Sequence, residues 1–318
     1  MVQYGVAETV AEVGRTDVKA ALTVRRITAP NPSPMTHEGT QTYLIESAGR
    51  ALVLDAGPAI EAHLEAILRA LGPARIEAQL VTHSHRDHSP GARALAAQTG
   101  TPVLAFGPHG AGMSAQMQAL AEAGGGSLGG GEGADREFQP DRRIGDGEAI
   151  ALGDWQITAL HTPGHLSNHL SFHIEGSGVL FSGDAVMGIS TTLVSPPEGD
   201  MAAQVATLER LAALVSARAA AGEALRFLPG HGPEVTDPGA LLAGQLAHRR
   251  ARRDALVAAL AEGPASAPLL AARLYVGTPP SLLPAASRNV LATLLQLQAE
   301  GVAAPDGPLS SGVRFRLV

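Results

Sequence analysis

Short apolar segments bounded by turn-forming residues alternate with segments of helical period along most of the chain. The short segments are rich in Val, Ile, Leu and Phe, which is typical of buried strands. They predict strands at 20–29, 41–46, 51–55, 79–82, 102–106, 156–160, 169–174, 178–181 and 225–228.

Longer segments between these strands have the period of amphipathic helices. Residues 59–71 follow Pro58, which is typical of a first helical turn, and residues 92–98 predict a second helix. Residues 201–221 repeat apolar positions at helical spacing behind Asp200, a typical N-cap. Because strands and helices interleave, we predict an α/β or α+β fold with layered sheets.

Residues 107–146 contain the segment GGGSLGGGEG. Glycine loses more backbone freedom on ordering than any other residue, so this density predicts a long irregular loop. Two interpretations remain open: a mobile lid over a functional site, or an insertion tolerated at the surface.

The strand pattern stops after Pro238, and the rest of the chain is predominantly helical. We predict helices at 239–262, 266–274 and 285–300, with the turn GTPPSLLP before the last helix and a β-like tail GVRFRLV. This is the order of a helix-turn-helix with a wing, so the predicted domains are 1–238 and 239–318. Residues 239–318 contain eight Arg against four acidic residues, a net charge of +4. Since the whole chain carries −7, residues 1–238 carry −11.

Composition narrows the chemistry further. The 318 residues include no cysteine, which excludes disulfides, thiolate zinc sites, iron–sulfur clusters and a cysteine nucleophile. The net charge of −7 argues against a general nucleic-acid-coating protein. The first residues lack the apolar region of a signal peptide, and no apolar run is long enough to span a bilayer. We therefore expect a soluble, cytoplasmic protein without a membrane partner.

Metal-ligating residue types follow four of the predicted strands. The segments are LVTHSHRDHSPG, ITALHTPGHLSNH, GVLFSGDA and LRFLPGHG. Loops after neighbouring strands open onto one edge of a sheet, so their side chains can meet although they are distant in sequence. Packing three imidazoles and a carboxylate into six residues is more than a structural role requires.

Together these loops offer enough ligands for two divalent cations. A catalytic cation takes three or four protein ligands and keeps an open position. Asp184 alone is equally compatible with a turn or a helix cap, and His231 alone with an ordinary loop histidine. The candidate ligands are His83, His85, Asp87, His88, His165, Asp184 and His231.

The combination of HxHxDH, TPGH, a later Asp and PGH resembles the metallo-β-lactamase superfamily. The resemblance implies an αββα sandwich in which two β-sheets pack face to face with helices outside. It assigns one metal to His83, His85 and His165, the other to Asp87, His88 and His231, and a bridging role to Asp184. It also implies hydrolysis by a metal-bridging hydroxide, with Asp87 as the catalytic residue. Zinc is the expected metal, and manganese and iron suit the same ligands.

Three further residues are candidates for supporting roles. The resemblance makes Asp55, in VLDAG, an acceptor that orients a ligand imidazole, against the alternative of a simple turn residue. His161 is expected to support the site from outside the ligand set. His169 is a candidate proton donor or substrate contact, although a packed structural histidine is as compatible with its strand position.

The resemblance is greatest to the β-lactamase-like 2 branch, which carries a winged-helix-like tail and includes an endoribonuclease selective for single strands. It implies phosphodiester cleavage in single-stranded RNA. The alternatives are a glyoxalase-II-like hydrolase of a thioester or lactone, and a winged-helix regulator with a sensing metal site. Hydrolysis of β-lactam antibiotics is disfavoured because the expected Cys ligand is absent. The run Arg249, Arg250, Arg252 and Arg253 predicts either a phosphate-binding patch or a solvated helix face.

Overall fold

The computed structural model describes residues 2–16, 19–124, 128, 131 and 133–318. The first sheet contains β1 Glu8–Val13, β2 Leu22–Thr28, β3 Gln41–Ser47, β4 Arg50–Leu54, β5 Arg75–Leu80, β6 Val103–Ala105 and β7 Arg142–Arg143. The second contains β8 Ala149–Leu152, β9 Trp155–His161, β10 Leu170–Ile174, β11 Val179–Gly183 and β12 Arg226–Pro229. The third contains β13 Ala265–Ser266, β14 Ala303–Pro305 and β15 Arg314–Leu317.

Seven α-helices are assigned in the described residues. They are α1 Glu61–Leu71, α2 Pro90–Thr99, α3 Ala115–Glu122, α4 Met201–Ala220, α5 Pro238–Ala261, α6 Ala267–Leu274 and α7 Leu283–Ala299, and a 3₁₀ turn, Pro280–Leu282, precedes α7. None of the helices in the described part of the chain has the length and apolar character needed to cross a membrane.

The two large sheets combine antiparallel and parallel pairing. The first has the strand order β1-β2-β3-β4-β5-β6-β7, antiparallel up to β4 and parallel beyond it. Helices α1 and α2 connect the parallel strands β4, β5 and β6, since parallel neighbours need a crossover. The second sheet has the order β12-β11-β10-β9-β8, and only the pair of β11 and β12 is parallel.

The main core lies between the two sheets. Leu52 and Leu80 from the first sheet share one buried cluster with Ile157 and Phe172 from the second. On the outer face of the first sheet, α1 and α2 cover a cluster that includes Val53. Helices α4 and α5 cover the outer face of the second sheet. The layers are therefore helix, sheet, sheet and helix, which confirms the predicted αββα sandwich.

The prediction that residues 107–146 contain only irregular structure was wrong. Residues 115–122 form α3, capped by Ser114, whose hydroxyl accepts the backbone N–H of Met117. The sequence AQMQALAE consists of good helix formers, and the glycines begin only after it. Residues 142–143 add β7 to the first sheet. Much of the glycine-rich segment that suggested a lid, at 125–127, 129–130 and 132, lies outside the described residues.

The C-terminal part has the predicted helix, helix, helix and wing. Strands β14 and β15 form an antiparallel hairpin, and β13 pairs with β15 from the other side. Helix α5 joins the two cores, because Leu242 packs with the second sheet while Leu256 and Leu260 pack with α6 and α7. Met117 of α3 belongs to this second cluster as well. The domain boundary at 238/239 stays a prediction.

Candidate metal centre

Four loops meet at one end of the sandwich. His83 follows β5 and His165 follows β9, while Asp184 and His231 follow the parallel pair β11 and β12. Because β11 and β12 run in the same direction, their carboxyl ends bring Asp184 and His231 side by side. His231 Nε2 lies 3.4 Å from Asp184 Oδ2.

His83, His85 and His165 form a first group of inward-facing nitrogens. His85 Nδ1 lies 2.9 Å from His83 Nε2 and 3.0 Å from His165 Nε2. Their rings meet edge to face, with centroids 4.7 to 5.1 Å apart. One ligand atom from each side chain lies within 4.8 Å of the other two, so the group can hold a metal ion.

Asp87, His88 and His231 form a second group. His231 Nε2 lies 3.2 Å from both Asp87 Oδ2 and His88 Nε2. Asp87 Oδ2 and His88 Nε2 are 3.5 Å apart. Thr40, at the start of β3, donates its hydroxyl to Asp87 Oδ2 at 3.2 Å. This group can also hold a metal ion.

The carboxylate of Asp184 reaches both groups. Oδ2 lies 3.6 Å from His165 Nε2 and 3.4 Å from His231 Nε2, and Oδ1 lies 3.6 Å from His88 Nε2. Asp184 is 5% exposed, and its buried Oδ1 has no hydrogen-bond partner within the described part of the protein. A buried carboxylate oxygen without a donor is costly, and a cation would satisfy it.

The protonation pattern of the imidazoles fits cation binding. The outer Nδ1 atoms of His88, His165 and His231 face a carboxylate or a carbonyl oxygen, so in the neutral ring they carry the proton and Nε2 is the nitrogen that can bind a cation. Two nitrogens bound to one tetrahedral zinc ion lie about 3.3 Å apart. The inner nitrogens of the two groups have nearly this separation, so the donor set fits divalent metal ions.

Asp55 supports one histidine of each group. Its Oδ2 accepts His88 Nδ1–H at 2.8 Å and the hydroxyl of Thr82 at 2.7 Å, and Oδ1 accepts the backbone N–H of Thr82. The Thr82 hydroxyl in turn accepts His83 Nδ1–H at 2.9 Å. Asp55 therefore has the contacts expected of an orienting acceptor. Thr82 was not predicted, although its place directly before HSH is visible in the sequence.

Two backbone carbonyls orient the imidazoles of His165 and His231, and no side-chain pattern could have predicted them. His165 Nδ1–H donates to the carbonyl of Leu193 at 2.7 Å. His231 Nδ1–H donates to the carbonyl of Gly39 at 3.2 Å. Gly39 has a φ of 138°, and a Cβ there would lie 2.0 Å from the Ala29 carbonyl oxygen. Only glycine fits this turn beside the site.

The electrostatics of the two groups differ. Burial, together with the neighbouring His165, lowers the pKa of His85 to about 3, so this imidazole is neutral. Burial also opposes protonation of His88, but the carboxylates of Asp87, Asp184 and Asp55 outweigh it and raise its pKa to about 9. The carboxylates thus attract positive charge to the second group, which a bound cation would supply instead of a proton.

His161 and His169 lie beside the ligand cluster. His161 stacks on Phe106 at 3.9 Å and interacts through Nε2 with the Ser167 carbonyl. His169 is fully buried, and its Nε2 accepts the backbone N–H of Asp184 at 3.0 Å. Its Nδ1–H donates to the Thr162 hydroxyl. Since both nitrogens are occupied within the protein, His169 holds the Asp184 backbone, which does not support the predicted proton donation or substrate contact.

The 107–146 segment crosses the HxHxDH loop. Arg86 donates its backbone N–H to the Gly133 carbonyl, and Asp135 donates its backbone N–H to the Ser84 carbonyl. The Ser89 hydroxyl donates to Asp135 Oδ2 at 2.7 Å. These contacts join the described part of the segment to the loop that carries four of the candidate ligands.

Most of the arginine run on α5 is engaged within the protein. Arg249 is 8% exposed, and Arg252 lies over the ring of Tyr275 at 4.3 Å. Arg253 pairs with Glu300 at 2.5 Å, and Arg250 lies 3.6 Å from Glu209. The prediction of a solvated face or phosphate-binding patch was wrong for Arg249, which is buried where α5 packs between two cores, whereas the side chain of Arg250 is 68% exposed.

Replacing Asp55 with asparagine tests whether Asp55 orients the imidazoles of His83 and His88. The φ of 50° at this position is tolerated by asparagine, so the fold should persist. At least one of the three hydrogen bonds would lose its acceptor, and we expect metal affinity to fall by about 10- to 100-fold. Zinc competition with a chromophoric chelator measures this. The matched control is Asp141→Asn, since Asp141 also accepts a backbone N–H, that of Val103. Equal zinc affinity in both variants would contradict the role of Asp55.

Comparison with known proteins assigns the family. Residues 35–231 match the family described as the metallo-beta-lactamase superfamily, which is more than half of the chain. The chain belongs to this superfamily. It is accordingly a metallo-beta-lactamase-fold hydrolase. Residues 266–308 match the beta-lactamase associated winged helix domain, which confirms the winged-helix prediction.

Several relatives resemble this superfamily member over much of its length. The beta-lactamase-like protein 2 homolog of Drosophila melanogaster is 27% identical over 290 residues, covering 87% of this chain and 88% of that protein. The crystal structure of a metallo-beta-lactamase family protein from Thermus thermophilus has a TM-score of 0.72 and 25% identity, covering 93% of this chain and 98% of that one. The atrochrysone carboxyl ACP thioesterase of Aspergillus chevalieri is 30% identical over 176 residues, covering 54% of this chain and 48% of that protein.

Proposed function

We propose that this hydrolase uses two divalent metal ions, with zinc as the expected metal, to cleave a thioester. The observation that carries the metal centre is the convergence of seven ligand-type side chains in groups that share Asp184. His83, His85 and His165 would hold one ion and Asp87, His88 and His231 the other. Asp184 would contact both, since its two oxygens face nitrogens of both groups.

Two bound cations would lower the pKa of a water molecule between them and polarise the carbonyl group under attack. The protein supplies the positioning. Asp87 is the carboxylate of the cluster with the greatest side-chain exposure, at 26%, and neighbouring His88 and His231 counteract burial to hold its pKa below the usual range. It is therefore ionised and accessible, so it can hold a water molecule by accepting its hydrogen and orient it towards the substrate.

An apolar groove that borders the loop of His231 is the feature that favours a thioester with a long acyl or pantetheine arm. The groove has a volume of about 520 Å³ and lies between residues 187–191 and the first turns of α5. Its wall includes Met187, Ile189 and Leu241. A Cβ at Gly232, directly after His231, would lie 2.6 Å from the Ile189 side chain, so the groove borders the loop of that ligand.

Similarity to the Aspergillus thioesterase supports the same substrate class. The arginine contacts also favour a thioester over a polyanion, because Arg249, Arg252 and Arg253 already have partners within the protein. In the wing, Arg316 pairs with Asp306 at 3.1 Å, and Arg314 donates to the Pro264 carbonyl. A small lactone would use the same carbonyl chemistry.

Single-stranded RNA is the second candidate substrate. The match of residues 266–308 to a winged helix domain favours it, because helix-turn-helix folds with wings are frequent nucleic-acid binders. Arg250 has a side chain that is 68% exposed and is the member of the α5 run best placed to contact phosphate. RNA cleavage should then decline with salt, as phosphate contacts are screened.

A parallel turnover assay separates these substrates. We expect metal-dependent hydrolysis of an acyl-pantetheine thioester, weaker activity on S-lactoylglutathione and an acyl lactone, and little on a β-lactam or single-stranded RNA. Ile189→Asp should raise KM for the long thioester by about tenfold, since a carboxylate in an apolar groove costs binding energy. Leu269→Asp is the control, because Leu269 is similarly exposed but lies on α6.

Two results would contradict the substrate proposal. Salt-sensitive RNA cleavage that disappears in Asp87→Ala, without thioester hydrolysis, would assign the enzyme to phosphodiesters. An unchanged KM in Ile189→Asp would remove the groove from substrate binding.

A further inference from the structure

The segment 192–194 lies directly behind two of the proposed metal ligands. The Thr192 hydroxyl donates to the backbone carbonyl of Asp184 at 2.7 Å. The Leu193 carbonyl accepts His165 Nδ1–H at 2.7 Å. The position of this segment therefore determines the orientation of the His165 ring and of the backbone that carries Asp184.

The C-terminal part of the chain holds the same segment from its other side. Arg249 on α5 donates from Nη2 to the Thr192 carbonyl at 2.5 Å. Asn289 on α7 accepts the backbone N–H of Val194 at 2.9 Å through Oδ1, and the same oxygen accepts from Arg249 Nη1 at 3.4 Å. Two helices thus bind the backbone on both sides of Leu193.

The chemistry of these contacts suits a positioning role. Arg249 is buried, and the two oxygens that accept from it, a carbonyl and an amide, are neutral. A planar guanidinium sets the distance and angle between its two acceptors more strictly than a flexible ammonium would. Apolar packing supports the arrangement, since Val194 shares a buried cluster with Ala292 of α7 and Met201 of α4.

We propose that Arg249 and Asn289 are positioning residues of the metal centre, through which the winged-helix part orients His165 and Asp184. The chain of contacts runs from Arg249 and Asn289 through residues 192–194 to the ligands. The C-terminal part then contributes to metal binding although the proposed ligands precede it. This inference rests on the metal centre of the proposed function.

Two substitutions test the contacts with residues 192–194. Arg249→Met removes the donor and Asn289→Leu removes the acceptor, and each keeps a similar side-chain volume. We expect zinc affinity to fall by about 10- to 100-fold in each, because the orienting contacts of a ligand are weakened. The visible absorption spectrum of the Co²⁺-substituted protein should also change, since it reports ligand geometry. Asn289→Asp retains an oxygen acceptor and should restore the affinity and the spectrum of the wild type.

The control variant is Arg273→Met, at an exposed arginine of α6, and it should match the wild type in every readout. Thermal unfolding of the metal-free proteins separates the proposal from simple domain packing. If Arg249→Met and Asn289→Leu lower the unfolding temperature but leave zinc affinity and the Co²⁺ spectrum unchanged, the positioning role is wrong. If Arg249→Met does not fold, the Asn289→Leu and Asn289→Asp pair decides alone.

The result for the wild type distinguishes this inference from the function on which it rests. A wild-type protein that binds neither Zn²⁺ nor Co²⁺ would contradict the metal centre itself. A wild type that binds both, with variants of equal affinity and spectrum, would contradict only the role of Arg249 and Asn289.

Discussion

Asp184→Asn is expected to lose one metal ion per chain and at least about a thousandfold in turnover. The amide has almost the same volume as the carboxylate, so the buried site should still pack. The amide lacks the negative charge that faces both groups of histidines. Its nitrogen cannot bind a cation, so only one of the two side-chain atoms could still be a ligand. Turnover of the thioester and metal content by elemental analysis measure the two losses.

The control for this variant is Asp154→Asn, in the exposed turn between β8 and β9, which should retain the metal and activity of the wild type. The role of Asp184 as the shared ligand would be untenable if Asp184→Asn kept the full metal content and native turnover.

Asp87→Ala is expected to fold normally and to lose hydrolysis by at least about a thousandfold. The fold does not require this carboxylate, whose side chain is partly exposed and accepts only the Thr40 hydroxyl besides its contacts with His88 and His231 in the described part of the chain. The reaction requires it to hold the attacking water. Circular dichroism and thermal unfolding monitor the fold, and the thioester assay measures the loss.

Asp87→Asn separates positioning from charge, because the amide can still accept one hydrogen bond. It should recover part of the lost activity but bind the second metal more weakly than the wild type. Native-like turnover in Asp87→Ala would remove Asp87 from the mechanism.

Many strands of the sandwich were predictable because they have strong local patterns, whereas the αββα arrangement was implied by the family resemblance. Strands β3, β4, β10 and β11 are apolar along much of their length, since sheets covered on both faces bury both sides of a strand. Strand β1, with the sequence ETVAEV, was missed because it is at the sheet edge and exposes its charged residues. Strand β7 has only two exposed arginines, and its pairing with β6 is decided by tertiary contacts.

The convergence of the candidate ligands was predictable for a different reason. These residues lie in loops that follow apolar strands, and their types restrict the chemistry. The groups that orient these imidazoles were less predictable, because Gly39 and Leu193 act through backbone carbonyls that any residue possesses. The engagement of Arg249 depends on the packing of α5 against residues 192–194, which helical periodicity does not report.

The stoichiometry of metal binding tests the central claim most directly. Protein stripped with a chelator, reconstituted with Zn²⁺ and freed of excess metal should contain two equivalents per chain by elemental analysis, and thioester hydrolysis should return with the metal. Saturation at one equivalent or fewer would contradict the dinuclear centre at His83, His85, His165, Asp87, His88, His231 and Asp184.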